Sequence, residues 1–238
     1  MPPPDPVRLD KLVWPELAGR AERSILVVPL GSTEQHGPHL PLGTDSAVAV
    51  ALAGRLSSAR PDVVVAPVLP YGSAGEHAAF PGTLSMGAAA LELVVVELVR
   101  SASAFAGVVL LSGHGGNAAP LAAAVATLQA EGRSALAWSP RIPGGDAHAG
   151  HTETSLMLAL APAAVRLEAA EPGEVRPLAT VIGELRANGV AAVSPNGVLG
   201  DPTGASAEEG RRLLDLLAAD LIGAVDEWCR TVTVGGQR

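Results

Sequence analysis

The sequence predicts an α/β fold, a three-layer sandwich with a mostly parallel central sheet. Short apolar stretches rich in valine and leucine alternate with longer helical patterns, as in parallel sheets that helices cover on both faces. The 238 residues are 48% hydrophobic but only 3% aromatic, so Ala, Val and Leu must build the core. No repeat or low-complexity linker divides the chain. We therefore expect a single domain over residues 1–238, with the proline-rich residues 1–10 flexible.

The individual elements follow from these patterns in chain order. The predicted strands are residues 24–30, 63–65, 107–112 and 134–138, and the predicted helices are 44–57, 88–103, 118–130, 152–160 and 206–228. The segments 67–83 and 189–204 are predicted loops, long enough to close over a site. The polar segments follow strand ends, which is where parallel α/β folds bind their ligands.

Composition excludes several classes of function. The formal net charge is -8 and no basic stripe is present, so we expect neither nucleic acid nor an anionic membrane as a partner. No apolar run reaches about 18 residues, the length of a membrane span. The stretch MPPPDPVRLD lacks the regions of a signal peptide, and the single Cys229 cannot form an internal disulfide. These features predict a cytoplasmic protein.

The segment GSTEQHGPHLPLGTD holds the first group of candidate ligands, Glu34, His36 and Asp45. Glu34 and His36 are two residues apart, so in an extended stretch both project to one side. A carboxylate and an imidazole on one side can share a divalent metal, and the two oxygens of Asp45 can bridge a second ion. Taken singly, Asp45 is equally a helix cap, Glu34 a solvated acid, and His39 a histidine that orders the loop.

The segment SGHGGN holds the second candidate ligand, His114, between a predicted strand and a predicted helix. The glycines let the backbone approach a ligand closely, and the strand end faces the same crevice as Glu34. Asn117 is a candidate helix cap. A phosphate-binding turn is the alternative interpretation, although the segment lacks the Walker lysine and the dinucleotide fingerprint.

The segment GGDAHAGHTETS holds the third group, in which His148 and Glu153 are singled out. His148 lies on a glycine-rich loop before a helix, a suitable position for a general acid or base. Glu153 lies in the first turn of that helix, where an anion is favoured, so capping is its alternative role. His151 could simply be exposed.

Five segments together resemble the creatininase family. They are STEQHGPHLPLGTD, EHAAFPGT, SGHGGN, HAGHTETS and NGVLGDPT, in the family's order, and the resemblance runs over residues 24–228. It implies a creatininase-like α/β sandwich assembled as a homo-oligomer, with two divalent metal ions per subunit, Zn, Fe or Mn. It places the metal ligands at Glu34, His36, the bridging Asp45 and His114, and the catalytic histidine at His148.

Two positions depart from the pattern of true creatininases. Gly116 stands where the family carries a metal-binding glutamate, and Ala147 stands where an acid precedes the catalytic histidine. Glu153 is our candidate for the missing ligand. Creatinine itself is therefore a doubtful substrate, and the segments resemble more closely a peptidase branch of the family that cleaves a modified precursor peptide near its C-terminus. A small cyclic amide or a formamide is the alternative substrate.

The chemistry expected of this site is hydrolysis of an amide bond. Divalent metals lower the pKa of bound water and polarise the carbonyl group, and His148 would protonate the leaving amine. Two rival functions stay open at this point. A non-catalytic metal-binding subunit is suggested by Gly116 and Ala147, and a nucleotide-binding protein is suggested by the SGHGGN turn.

Overall fold

The computed structural model describes residues 6–235, and the side chains of residues 6–231. In chain order the elements are α1 (Trp14–Leu17), β1 (Ile25–Leu30), α2 (Thr44–Ala59), β2 (Val63–Val65), α3 (Ala88–Ser101), β3 (Gly107–Ser112), α4 (Ala118–Ala130), β4 (Ala135–Trp138), α5 (His151–Leu160), α6 (Leu178–Asn188), α7 (Val190–Val193) and α8 (Ala207–Gly235). Within this part of the chain the strands form one sheet in the order β2-β1-β3-β4, and every pairing is parallel.

Helices cover both faces of the sheet, so the predicted three-layer α/β class is confirmed. Side chains alternate between the faces of β1: Ile25 and Val27 pack with α2, α5 and α8 in one core, and Leu26 and Val28 pack with α3 and α4 in the other. The β1 strand is buried along its whole length because it is central and covered twice. Both cores are mainly aliphatic, as the composition predicts.

The observed boundaries match the prediction closely for most elements. The strands 63–65 and 107–112 and the helix 118–130 coincide with the prediction. The final helix continues past residue 228 to Gly235. The clearest difference lies in α6 and α7. They were not predicted, and α7 falls inside the expected loop 189–204.

The structure tests only part of the prediction that residues 1–10 are flexible. Residues 1–5 lie outside the described residues. From Val7 onward the chain is bonded to the body of the protein: the backbone N–H of Val65 donates to the oxygen of Val7, and that of Val7 donates to Oγ of Ser57. Among residues 6–235, no helix combines the length and apolar character that a membrane crossing requires.

The turn after β3 approaches the start of α2 closely. A Cβ atom on Gly113 would lie 2.3 Å from the backbone oxygen of Asp45, so no larger residue fits there without a shift of backbone. The contact brings the residues that follow the third strand beside the acid that opens α2. This close approach places the predicted site at the carboxyl edge of the sheet.

Candidate metal centre

Three of the predicted ligands meet at this edge of the sheet. Glu34 follows β1, Asp45 lies in the first turn of α2, and His114 follows β3. One ligand atom from each lies within 4.8 Å of the others. Nδ1 of His114 is 3.1 Å from Oε1 of Glu34 and 3.4 Å from Oδ2 of Asp45. All three side chains are buried, which shields the set from bulk water.

The other predicted site residues form a second group next to the first. His36, His148 and Glu153 each place one ligand atom within 4.8 Å of the others. Nε2 of His36 lies 3.1 Å from Oδ1 of Asp45 and 3.9 Å from Oε2 of Glu153. The Asp45 carboxylate therefore lies between the groups, with Oδ1 toward His36 and Oδ2 toward His114. A bridging carboxylate has this arrangement.

Backbone carbonyls fix which nitrogen of each ligand imidazole faces the centre. Nδ1 of His36 lies 3.1 Å from the backbone oxygen of Glu34, and Nε2 of His114 lies 3.0 Å from that of Ser73. A carbonyl oxygen only accepts, so these two nitrogens carry the hydrogens. The other nitrogens, Nε2 of His36 and Nδ1 of His114, therefore face the carboxylates, and once deprotonated they present the lone pairs that metal-ligating histidines require.

His148 is held in the same way. Its Nε2 donates to the backbone oxygen of Gln35 at 2.8 Å, which leaves Nδ1 facing Glu34 and Glu153 at 3.8 and 3.9 Å. Burial, reinforced by the positive charge of His36, holds the pKa of His148 well below its ordinary value. A neutral imidazole with a free Nδ1 can accept and return a proton.

The carboxylates and imidazoles shift one another's ionisation in the metal-free protein. Burial alone would lower the pKa of His36, but Asp45 and the other carboxylates outweigh it and raise that pKa to about 9. Burial opposes ionisation of Asp45, yet His36 and His114 hold its pKa below the usual range. Burial raises the pKa of Glu153 to about 7. The centre therefore retains protons that a bound cation would displace.

Unpartnered carboxylate oxygens test whether these residues fit a cation. Both oxygens of Glu34 and Oδ2 of Asp45 are buried and have no hydrogen-bond partner among the described residues. A buried carboxylate oxygen without a partner is costly, and native proteins rarely leave one so. A divalent ion satisfies these oxygens, and Zn, Mn and Fe all accept mixed nitrogen and oxygen ligands. The residues present fit such an ion.

The structure explains why residue 116 carries no side chain. A Cβ atom on Gly116 would lie 2.4 Å from the backbone oxygen of Ser73 and 2.4 Å from Nε2 of His114. It would also lie 2.5 Å from Oε1 of Glu76, whose carboxylate occupies the adjacent space. A ligand at position 116 would therefore require the Ser73 backbone and the His114 and Glu76 side chains to shift. The carboxylate on the far side of Asp45 is that of Glu153.

Asn117 stands at the N-cap position of α4, as predicted, but its side chain bonds elsewhere. Its side chain makes no cap bond to α4. Instead Oδ1 accepts from the backbone N–H of Ser73, and Nδ2 donates to the oxygen of Gly31. The need to fasten the turn before α3 to the end of β1 outweighs the capping preference. His39 contacts Oγ1 of Thr154 at 2.8 Å, in keeping with the loop-ordering alternative.

The loop before α5 holds His148 and Glu153 by backbone bonds. Asp146 accepts from the backbone N–H groups of His151 and Thr152, which opens the helix. The backbone N–H of Ala149 donates to Oε2 of Glu153 at 2.6 Å, and Ala149 has the left-handed value φ 52. Glu153 therefore has its alternative capping role and also faces His36.

Sequence reasoning gave no role to two further residues at the centre. His77 is 4% exposed, and its Nε2 lies 3.3 Å from Oε1 of Glu34. Gln35 is 5% exposed and contacts both His77 and His148. The segment EHAAFPGT contributed to the family resemblance, but it follows no predicted strand, so its position gave no reason to place His77 at the sheet edge. Gln35 carries no charge, and in the sequence it stands between the stronger candidate ligands Glu34 and His36.

The centre opens into a cavity of about 860 Å³. Its lining includes Asp45, His114, His148 and Glu153, together with residues of α6 and of the start of α7. A second cavity of about 910 Å³ adjoins it and shares the lining residues Ala147, Leu178 and Leu199. Each volume is typical of a ligand-binding site, and the pair could hold an extended ligand.

Comparison with known sequences finds one matching family model and similar proteins of known name. The sequence model of the family described as Creatininase: Creatinine amidohydrolase matches residues 10–225. The chain is 49% identical over 211 residues to the mycofactocin precursor peptide peptidase of Mycolicibacterium smegmatis, covering 86% of this chain and 85% of that protein.

Solved structures agree with the sequence comparison. A structure entitled creatininase Mn has 26% sequence identity and a TM-score of 0.76, covering 93% of this chain and 98% of its own. A creatininase mutant of the Zn-Zn type gives 26% identity and a TM-score of 0.75 with the same coverage, 93% and 98%. Both titles name divalent metals of the kind that the residues here fit.

Proposed function

Because this chain belongs to the creatininase family, we propose that it is a metal-dependent peptidase that cleaves a modified precursor peptide near its C-terminus. The membership confirms the resemblance of the five sequence segments, and the chain is an amidohydrolase of this family. The choice of the mycofactocin precursor as substrate rests on the relative that is 49% identical over most of both chains. A small cyclic amide or a formamide is the less favoured substrate.

The observation that carries the proposal is the set of buried carboxylate oxygens without hydrogen-bond partners, which face imidazole nitrogens able to bind an ion. We assign Glu34, Asp45 and His114 to one ion, and His36, Asp45 and Glu153 to a second, with Asp45 shared. When bound, divalent ions lower the pKa of water and polarise the carbonyl of the amide. Two ions per subunit, and their identity as Zn, Fe or Mn, belong to the proposal.

His148 is the proposed general acid. Its Nε2–H is bound by the Gln35 carbonyl, so any proton moves through Nδ1, the atom facing the two groups of ligands. Nδ1 takes a proton released as water attacks the carbonyl carbon and gives it to the nitrogen of the leaving amine. A positioned acid–base group of this kind contributes about 10²–10⁴-fold.

The cavities favour a peptide over a small amide. The cavity of about 860 Å³ at the candidate metal centre shares three lining residues with the second cavity, so an extended peptide could occupy both. A compact cyclic amide would leave most of this volume empty. Assembly as a homo-oligomer and a cytoplasmic location remain predictions from the sequence.

Mass spectrometry of the reaction products tests the proposal. Metal-loaded protein should shorten the modified precursor peptide near its C-terminus and leave creatinine and formamides intact. His114→Ala should lose both bound metal and turnover, because it removes the only imidazole assigned to the first ion, whereas His148→Gln should keep the metal and lose turnover. Metal-loaded protein that cleaves no amide in the panel would favour the non-catalytic subunit. Tight, saturable nucleotide binding in calorimetry would favour the nucleotide-binding alternative.

A further inference from the structure

Gln35 is a buried amide whose orientation is fixed by its own loop. Its Oε1 accepts a hydrogen bond from the backbone N–H of Gly37 at 2.8 Å. That bond identifies the oxygen, so the other terminal atom, Nε2, is the donor and carries two hydrogens. Three acceptor positions lie within reach of these two hydrogens.

The other hydrogen bonds in the site decide which two of these three acceptors bind the hydrogens of Gln35. Nε2 of Gln35 lies 2.8 Å from Nδ1 of His77, 3.0 Å from the oxygen of Gly197 and 3.0 Å from Nε2 of His148. The His148 nitrogen already donates to the Gln35 carbonyl, so it cannot also accept. The two hydrogens of Gln35 therefore go to Gly197 and to Nδ1 of His77.

This assignment fixes the tautomer of His77. A neutral imidazole that accepts at Nδ1 carries its hydrogen on Nε2. That nitrogen lies 3.3 Å from Oε1 of Glu34, and the side chains of Glu34, His77 and His148 are close enough together to resemble a metal-binding group. With a hydrogen on Nε2, His77 has no lone pair to offer an ion there.

Among the described residues, the Nε2–H group of His77 has no acceptor with hydrogen-bond geometry, so it can donate to a ligand. It lies 3.3 Å from Oε1 of Glu34, but that oxygen has no partner with hydrogen-bond geometry among the described residues. His77 lines the same cavity as Asp45, His114, His148 and Glu153. A hydrogen-bond donor fixed at the edge of a hydrolytic centre can stabilise the negative charge that the substrate's carbonyl oxygen gains during the reaction.

We propose that His77, held as the Nε2–H tautomer by Gln35, donates a hydrogen bond to the carbonyl oxygen of the amide bond that is cleaved. His77 is then a catalytic residue that touches the reacting group, and Gln35 is its positioning residue. The inference rests on the proposed function, since it needs an amide bond to be broken at this centre. It assigns His77 to the substrate and not to a metal ion.

The tautomer and the metal content are measured without substrate. Nitrogen-15 NMR of the wild-type protein, metal-free and metal-loaded, should show His77 neutral with its hydrogen on Nε2. His77→Ala should bind the same number of metal ions as the wild type. A hydrogen on Nδ1 of His77, or loss of a metal equivalent in His77→Ala, would overturn the proposal.

Kinetics on the precursor peptide complete the test. His77→Ala should lower kcat by about 10²–10³-fold, as loss of an oxyanion donor does elsewhere, with little change in KM. Gln35→Leu should also lower kcat, because it removes the donor to Nδ1 that holds the hydrogen of His77 on Nε2. His39→Gln is the matched control: it also alters a buried loop histidine, but one bonded to Thr154 and outside the cavity lining.

The outcomes separate the two proposals. Fully metal-loaded wild type that cleaves no peptide would overturn the proposed function and this inference with it. Active wild type with His77→Ala within threefold of the His39→Gln control would overturn the inference alone. Thermal denaturation of each variant identifies any that is unfolded, and the NMR result on the wild type decides the tautomer independently of all variants.

Discussion

Gly116 provides the sharpest test at the scale of single residues. Gly116→Ala places a methyl group 2.4 Å from both partners of the bond between His114 and the Ser73 carbonyl, so the imidazole must shift. Overpacking of this kind typically costs about 1–3 kcal/mol. We expect weaker metal binding in a metal titration and a lower Tm.

Gly115→Ala is the matched control for Gly116→Ala. A Cβ atom at Gly115 would meet nothing within 4 Å, and its φ lies outside the left-handed region. Equal metal affinity and equal Tm in the two variants would contradict the packing account of His114.

Glu153→Gln tests the assignment of the second ion. The amide oxygen can still accept from the backbone N–H of Ala149, so the loop before α5 should keep its bond. The negative charge facing His36 is lost, so we expect one metal equivalent to be lost and the equivalent at Glu34 and His114 to remain. Elemental analysis of the purified variant measures this. Two retained equivalents would assign the second ion to other ligands.

The metal-free protein should lose stability as pH rises through the titration of His36. Its pKa in the folded state is raised from 6.5 to about 9 by Asp45 and the other carboxylates, against the effect of burial. The stabilisation is fully present below pH 6.5 and is lost as pH rises through about 9, at most about 3 kcal/mol. Urea unfolding of the metal-free protein across this range measures it. His36→Gln should flatten the profile, and a profile unchanged by that substitution would reject the coupling.

Most residues of the site could be predicted because the sequence shows where each of them lies relative to the end of a predicted strand. Glu34, Asp45 and His114 each follow or face a strand end, and the structure brings them within ligand distance. His77 could not be found in this way, because it is delivered by a long segment whose path depends on tertiary contacts such as the bridge between Thr33 and Leu84.

At the scale of elements, the start of α5 carries the residues that face the second ion. Asp146→Ala removes the acceptor for the N–H groups of His151 and Thr152, which should cost about 0.5–2 kcal/mol. Because His148 and Glu153 flank this cap, kcat should fall as well. Thermal denaturation and peptide cleavage measure the two effects.

Glu16→Ala is the matched control for the α5 cap. Its carboxylate also accepts from a backbone N–H, that of Val13, but at the exposed start of α1 and outside the lining of both cavities. A fall in kcat that is equal in the two variants would contradict a specific role for the α5 cap.

Elements were predictable where apolar periodicity and flanking breakers agreed. The run GVVLLS, bounded by Gly113, is an unmistakable buried strand. Helix α6 was missed although Leu178, Val181, Ile182 and Leu185 have helical spacing. Gly183 interrupts that pattern and weakens it. Helix α6 lines the cavity at the candidate metal centre. The residues that would contact a substrate were therefore less predictable than the candidate metal ligands.

At the scale of the whole molecule, the fold explains why distant residues converge. Parallel pairing of β1 with β3 aligns their carboxyl ends, which brings residue 34 beside residue 114. Packing of α2 on the same sheet adds Asp45, the loop before α5 adds His148, and the first turn of α5 adds Glu153. Each element supplies one or two candidate ligands, and the two aliphatic cores hold the elements in their relative positions.

An anomalous-scattering crystal structure of the metal-loaded protein tests the metal centre most directly. We expect two peaks on either side of the Asp45 carboxylate, one near Glu34 and His114 and the other near His36 and Glu153. Data collected at the zinc, iron and manganese edges would identify the metals. An absence of peaks between the β1 and β3 strand ends, or a peak coordinated by the Nε2 atom of His77, would contradict the account.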